Sequence, residues 1–369
     1  MNSLITLLTL VLSASCAQRA VAADTSGDIP LANKRFIWPN LPYQADTGSG
    51  PRGTQQGYNT CNATTQNQQS MCQTSFLNSI DEFCLWGSPQ PNQTVANVEE
   101  SMVAFCTKKK FGARLLTAGA LQGVQLIRTP GYVEIVGFID QTTLNLTPDD
   151  SGGEEDPHGA DQRGNPLGSL VYSNAFNTSG GPAYTQVIEW TYFVGGGSFC
   201  FKACDPAGPN AAELCQHVYD RVGCLYNAPA NYPSINGTFQ SCKGENQLPV
   251  GNYVEGGVTK VWTQPAESLG PISTIPYTPA IPATSDCTTY TSAALYTELP
   301  SPPSPAAATA TGNTSNKGSS TVGANGLPEK TGAGLAAKSS SSTDYEVLSG
   351  AVGWISVAIV SISSFALLL

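Results

Sequence analysis

The sequence is poor in charge, with only 12% of its 369 residues being Asp, Glu, Lys or Arg. Acidic side chains (27) outnumber basic ones (17), leaving a formal net charge of −10. That deficit argues against nucleic acid or anionic lipid as a partner, because both are held by clustered Lys and Arg. Histidine is nearly absent, with His158 and His217 the only two, and no C-x-x-C pair occurs. The ligand sets of structural zinc sites therefore cannot be assembled. No continuous apolar run reaches the roughly 20 residues that a helix needs to cross about 30 Å of hydrocarbon.

The two apolar runs that do occur lie at the ends. "LITLLTLVLSASCA" followed by Ala20-Val21-Ala22 reads as a secretory signal peptide over residues 1–22, although its start carries no Lys or Arg. "WISVAIVSISSFALLL" (Trp354–Leu369) has no basic flank beyond it. It follows the small residues "KSSSS" and a polar spacer, the order of a GPI-attachment signal. Residues 343–369 are then expected to be removed and Ser340 to carry the lipid, a short tail-anchor helix being the alternative.

Once Cys16 leaves with the signal peptide, ten cysteines remain: Cys61, Cys72, Cys84, Cys106, Cys200, Cys204, Cys215, Cys224, Cys242 and Cys287. In an exported chain they read as five disulfides. Cys72 and Cys84 lie twelve apart in a stretch of helical period, about 18 Å if helical, against the 7 Å or so a disulfide tolerates, so they take other partners. Acceptors for N-linked sugar occur at Asn62, Asn92, Asn145, Asn177, Asn236 and Asn313.

With 37 Gly and 26 Pro the chain is turn-rich, which suits a β-rich extracellular domain. Residues 23–52 form an N-terminal segment and 53–298 a cysteine-rich globular domain. Residues 299–342 are a Ser/Thr/Pro/Ala-rich stalk with too little apolar surface to offset the entropy of ordering. Two helices are predicted. "QQSMCQTSFLNSIDEFCLW" spaces Cys72, Phe76, Ile80, Phe83 and Cys84 with helical period, and "GPNAAELCQHVYDRVGC" opens on Pro209 and stops at Gly223. "GVQLIRT", "YVEIVGFI", "TQVIEWTYFV", "SFCFKAC" and "NYVEGGVTKVWT" alternate as strands do. The expected class is a β-rich α+β fold: a single disulfide-braced extracellular domain with about two helices, followed by a disordered stalk.

Chemistry is thin. "DSGG" (Asp150–Gly153) superficially matches the nucleophile loop of chymotrypsin-like proteases, but there the histidine base precedes the serine. Here both histidines follow Ser151. "PDDSGGEEDPHGADQRGNPLG" (148–168) is a long acidic loop, read mainly as solvated. Its Asp156, His158 and Asp161 are weak candidates for a hard cation, without EF-hand spacing. No catalytic residue, cofactor-binding residue or cofactor is expected. His217 reads as a packed or rim residue.

The strings "GYNTCNATTQNQQSMCQTSFLNSIDEFCLW", "DPHGADQRGNPLG", "FCFKACDPAGPNAAELCQHVYDRVGC" and "AESLGPI" resemble those of the fungal macrophage-activating glycoprotein-like proteins. That resemblance implies a cysteine-rich protein, secreted or held at the surface, and no reaction. The expectation is a non-enzymatic GPI-anchored glycoprotein of the plasma membrane's outer face or the cell wall, with a structural, adhesion or recognition role. Its partners would be cell-wall polysaccharide or host glycan receptors, and the membrane through the GPI lipid. The alternative is an enzyme or binding module acting on wall polysaccharide through carboxylates of the acidic loop.

Overall fold

The computed structural model describes residues 29–177 and 183–302. The expected signal peptide at 1–22, the expected stalk of 299–342 from residue 303 on, Asn313, Ser340 and the expected tail at 343–369 lie outside the described residues, whereas Leu299 packs onto the folded body and the Pro300 carbonyl bonds to it. In chain order the strands are β1 (Thr74–Ser79), β2 (Glu82–Gly87), β3 (Val103–Cys106), β4 (Arg114–Leu115), β5 (Leu121–Arg128), β6 (Tyr132–Ile139), β7 (Gly153–Glu155) and β8 (Leu170–Ser173). They continue with β9 (Thr185–Val187), β10 (Trp190–Gly195), β11 (Ser198–Cys204), β12 (Phe239–Gly244), β13 (Asn252–Glu255), β14 (Val258–Val261) and β15 (Thr284–Tyr290).

These build a six-stranded sheet in the order β4-β3-β2-β1-β8-β9 and a seven-stranded sheet in the order β15-β12-β5-β6-β11-β10-β7. A separate hairpin pairs β13 with β14. The two large sheets share one core. Across it Phe83 of β2 stacks near Phe199 of β11 at 6.5 Å, Trp86 meets Trp190 at 6.1 Å, and the Tyr192 hydroxyl donates to the Trp86 carbonyl at 2.9 Å.

Alternation explains the larger sheet. Phe199, Phe201 and Ala203 of β11 point into this core, while Cys200 and Cys204 point to the opposite face. That outer face is also covered, by the segment carrying the short helices α2 (Ala211–Leu214), α3 (Gly223–Asn227) and α4 (Tyr232–Ile235). The disulfides Cys200–Cys224 and Cys204–Cys215 fasten the cover to β11. Lys202, between the two cysteines, is fully buried against Glu134, its cross-strand partner on β6, at 3.2 Å, and donates to Gln247 Oε1 at 2.5 Å.

The α+β class with two helices is corrected. Three sheets and fifteen strands dominate the described residues, their helices are no longer than five residues, and five disulfides brace them. The stretch predicted as the first helix is the β1–β2 hairpin, with Leu77 opposite Phe83. Both strands are buried on both faces, so no polar alternation marks them. The stretch predicted as the second helix keeps only four helical residues before Cys215, because Asn227 Nδ2 donates to the Tyr219 and Gly223 carbonyls and holds the chain in another path. The five predicted strands are present, with the third divided into β9 and β10 and the last forming the β13–β14 hairpin. Strandedness also changes the reason that Cys72 and Cys84 stay apart. Cys84 faces Cys106 across the β2–β3 ladder and bonds to it, while Cys72 bonds to Cys61.

The N-terminal segment is part of this folded body. Leu31, Leu41 and Ala45 enter the shared core, Lys34 Nζ donates to the Ala45 carbonyl at 2.9 Å, and buried Asp46 receives the Arg163 guanidinium at 2.5 Å. Among the described residues no helix is long and apolar enough to cross a membrane.

Phe199→Ala is expected to cost about 3–5 kcal/mol by leaving a cavity between the sheets. Removing the Cys204–Cys215 staple by a double Ser replacement is expected to cost about 2–5 kcal/mol. Leu269→Ser, at a side chain 76% exposed, should leave the denaturant midpoint unchanged. Equal midpoints for all three would contradict the layered burial.

Candidate functional site

The loop that looked solvated in the sequence is largely inside. Asp150 Oδ2 accepts from the Val95 amide at 2.8 Å and its Oδ1 from the Gly152 amide at 3.1 Å. Gly152 has φ +89°, and a side chain there would run into the Val194 carbonyl. "DSGG" is thus a close backbone crossing that feeds β7 onto the edge of β10, and Asp150 serves it structurally.

Strand β7 then sends its two glutamates to opposite faces. Glu155, opposite Tyr192, turns toward the shared core, while Glu154, opposite Phe193, turns toward the outer cover. Both are buried, and none of their four carboxylate oxygens finds a hydrogen-bond partner among the described residues. Burial, reinforced by Asp156, Asp220 and Glu155, pushes Glu154 well above the carboxylate range. Burial with Glu99, Asp156 and Glu100 does the same to Glu155 against the pull of Arg52. Glu99, just after the short helix α1 (Val95–Val98), is raised to about 7 by burial, despite Arg52, with Glu100, Asp156 and Asp220 adding to the rise. These groups carry protons at a pH where a surface glutamate would not.

Next along the chain, residues 156–165 close into a loop by reciprocal backbone bonds between Asp156 and Asn165. Asp156 Oδ1 accepts from the His158 amide at 2.6 Å and the Gly159 amide at 2.9 Å, which fixes the backbone of the turn that carries the imidazole. His158 stacks on His217, ring centroids 3.9 Å apart, and its Nε2 lies 3.2 Å from Glu189 Oε2. The only two histidines of the chain are therefore in contact. Burial depresses His158, but the bond and charge of Glu189, with Asp156, outweigh it and leave the ring above its ordinary value. Burial and the neighbouring His158 hold His217 below it, against Asp156, Glu189 and Asp220.

The three sequence candidates for a cation do not converge. Asp161 is drawn away into an ion pair with Arg52, with Arg163 Nη1 at 3.6 Å. Asp156 Oδ1 is spent on backbone amides, and only His158 reaches the paired rings. Among the described residues no group of three or more His, Cys, Asp or Glu is placed to hold a metal ion. Sequence reasoning missed the meeting of His158 with His217 and Glu189, and the half-burial of Glu99. The scarcity of histidine was the one available signal, and it does not encode contact.

Of the sugar acceptors, Asn62, Asn92, Asn177 and Asn236 are exposed. Asn145 is half-buried, and the Nδ2 that would carry a sugar donates to the Ser88 carbonyl at 2.9 Å. Separately, a cleft of about 350 Å³ opens beside the β13–β14 hairpin, with Tyr226, Tyr253 and Tyr277 in its wall.

Comparison with known proteins gives two relatives. The chain is 44% identical over 203 residues to the "Appressorium protein ROW1" of Mycosarcoma maydis, covering 55% of this chain and 46% of that protein. It is 39% identical over 215 residues to the "Appressorium protein ROW2" of the same organism, covering 57% of this chain and 70% of that protein. The chain thus spans about half the length of ROW1 and more than two thirds of ROW2. No family model and no solved structure matches it. The relatives are fungal appressorium proteins, and with five disulfides the chain fits an extracellular or cell-surface setting.

The raised carboxyls fix the sign of a pH effect. Glu99, Glu154 and Glu155 hold more protons folded than unfolded, so the stability they represent is complete below about pH 4.5 and is lost as pH rises through their folded values, about 7 for Glu99. Each adds a slope of up to about 1.4 kcal/mol per pH unit in its window. His158 acts in the same direction and His217 in the opposite one. The thermal midpoint is expected to fall from pH 4.5 to 7, and Glu155→Gln should raise it at pH 7 and flatten the decline. A midpoint that climbs across that window would contradict the protonated interior.

Proposed function

We propose, from the premise that the chain belongs to the family of the fungal appressorium proteins ROW1 and ROW2, that it is a non-enzymatic surface glycoprotein with a structural, adhesion or recognition role. A β-sandwich braced by disulfides stands outside the cell on a glycosylated stalk, tethered by a GPI lipid at Ser340 or transferred to wall polysaccharide. Macrophage-activating glycoprotein-like proteins are the group whose motifs it shares. Recognition of the kind their name implies would act through sugars at the exposed Asn62, Asn92, Asn177 and Asn236.

One observation carries the non-enzymatic reading: apart from the exposed Asp149, the acidic loop commits its carboxyls to the interior or to an ion pair. Acid–base cleavage of a glycan needs two carboxyls flanking the scissile bond within reach of substrate. Here Glu154 and Glu155 are buried on opposite faces of β7, Asp156 is 6% exposed, and Asp161 is held by Arg52. Asp161→Asn is thus expected to disturb the Arg52 contact without touching any reaction.

Treating intact cells with a phosphatidylinositol-specific phospholipase is expected to release the protein, or to leave it extractable only with wall-degrading enzymes. Extraction by detergent alone, with Leu369 still present by mass spectrometry, would overturn the lipid tether. Peptide mapping after deglycosylation should find sugar on Asn62, Asn92, Asn177 and Asn236 and none on Asn145. A reducing sugar released from β-glucan, chitin or mannan by the purified protein would instead favour the enzyme.

A further inference from the structure

The β13–β14 hairpin stands outside both large sheets yet is held firmly. Gly251, at φ +87°, brings it down onto Tyr219, whose hydroxyl donates to the Trp262 carbonyl at 2.8 Å, while the Trp262 amide donates to the Gly251 carbonyl at 2.8 Å. Trp262 in turn packs 5.9 Å from Tyr219 and 6.5 Å from Tyr277. Tyr253 of β13 stacks parallel on Tyr277 at 4.6 Å, and Tyr226 meets Tyr277 edge-on at 5.5 Å with its hydroxyl donating to the Tyr277 carbonyl at 3.2 Å. The cleft lined by the hairpin and by residues 276–280 is therefore built before any ligand arrives, its aromatic wall locked from behind.

Its chemistry is selective. None of the residues lining it is basic, and its one carboxylate, Glu255, is paired with Lys260. Asn252 and Thr278 line it beside Tyr253, and no side-chain hydrogen bond ties these three to the other described residues. Flat rings next to uncharged donors and acceptors suit a pyranose, whose C–H face carries the positive edge that an aromatic face attracts and whose hydroxyls need partners in the plane of the ring. The cation opposite Tyr253 on β14, Lys260, is already paired with Glu255, so a phosphorylated or sulfated ligand is not favoured. A proline-rich peptide would compete for the same kind of ring surface, but the chain's own Pro276 and Pro279 already occupy that wall.

We propose that this cleft binds a segment of neutral polysaccharide, with Tyr253 as the stacking platform and Asn252 and Thr278 as hydrogen-bonding partners. The inference deepens the surface role proposed above and rests on it for a glycan-rich setting. It needs no carboxyl of the acidic loop.

The test is co-sedimentation of the purified full-length mature protein with insoluble β-1,3-glucan, chitin and mannan, followed by calorimetry with the matching soluble oligosaccharides. Retention on at least one is expected, weakened at least tenfold by Tyr253→Ala and several-fold by Asn252→Ala, with thermal midpoints within a degree or two of the parent. Tyr253→Phe, which keeps the ring, should retain most of the affinity. Absence of retention on all three glycans would overturn the proposal, as would binding indifferent to Tyr253→Ala, or displacement by a peptide of residues 299–306 instead of by oligosaccharide. Phospholipase release from cells reads the surface role by itself, so a loss of glycan binding with release intact would sink the cleft alone.

Discussion

Strand β11 must satisfy two interiors at once, and the fold follows from that requirement. Its odd-numbered positions give Phe199, Phe201 and Ala203 to the core shared by the sheets, and its even-numbered positions give Cys200, Lys202 and Cys204 to a second buried layer. An antiparallel sheet can leave one face to water. Here the outer face is closed by a segment with little regular structure, whose short helices could not stay folded by themselves. The two disulfides to β11 offset the entropy of holding that cover in place, and Tyr232 and Ile235 complete it.

Burial on both sides also sets the electrostatics. Lys202 and Glu134 face each other with no water to solvate them, each shifted toward its neutral form by burial and held toward the charged form by the other. Among the described residues Glu154 and Glu155 form no such ion pair, Arg52 acting on Glu155 only weakly, and their answer to the same low dielectric is to keep the proton. A third solution appears at Arg163, which reaches Asp46 and the carbonyls of Gly48 and Gly53 and so joins the N-terminal segment to the loop after β7. The acidic loop is architecture by this account.

What was legible in the sequence divides along the same line. Strands such as β6, rich in β-branched and aromatic residues, and β11, with Phe199 and Phe201 alternating, each opening after a Gly, announced themselves through period and composition. The β1–β2 hairpin did not. Its polar Thr74, Ser75 and Asn78 are buried and bonded to the carbonyls of Asn59 and Cys84 and to the Asn174 amide, so the apolar residues left over fell by chance at helical spacing. Pro209 and Gly223 marked real chain events, a start and a change of direction, but not one helix between them. The paired histidines and the tyrosine cleft were illegible for a different reason: each joins residues tens of positions apart, and nothing local to His158 or Tyr253 encodes its partner.

The segment that follows β15 is clasped back onto the sandwich. After β15, whose seven residues are all exposed, the short helix α5 (Ser292–Leu295) returns the backbone to the sandwich. Tyr296 is buried there with its hydroxyl donating to Ile80, Glu298 accepts from the Lys109 amide, and the Pro300 carbonyl accepts from Ala118. Tension applied beyond Pro302 meets this buried clasp before it reaches the edge strand. Should the clasp yield, the Cys242–Cys287 bridge stops β15 from unzipping and passes the load to the interior of the larger sheet. A domain pulled from that end meets a buried side chain and then a covalent bridge before its sheet can peel one bond at a time.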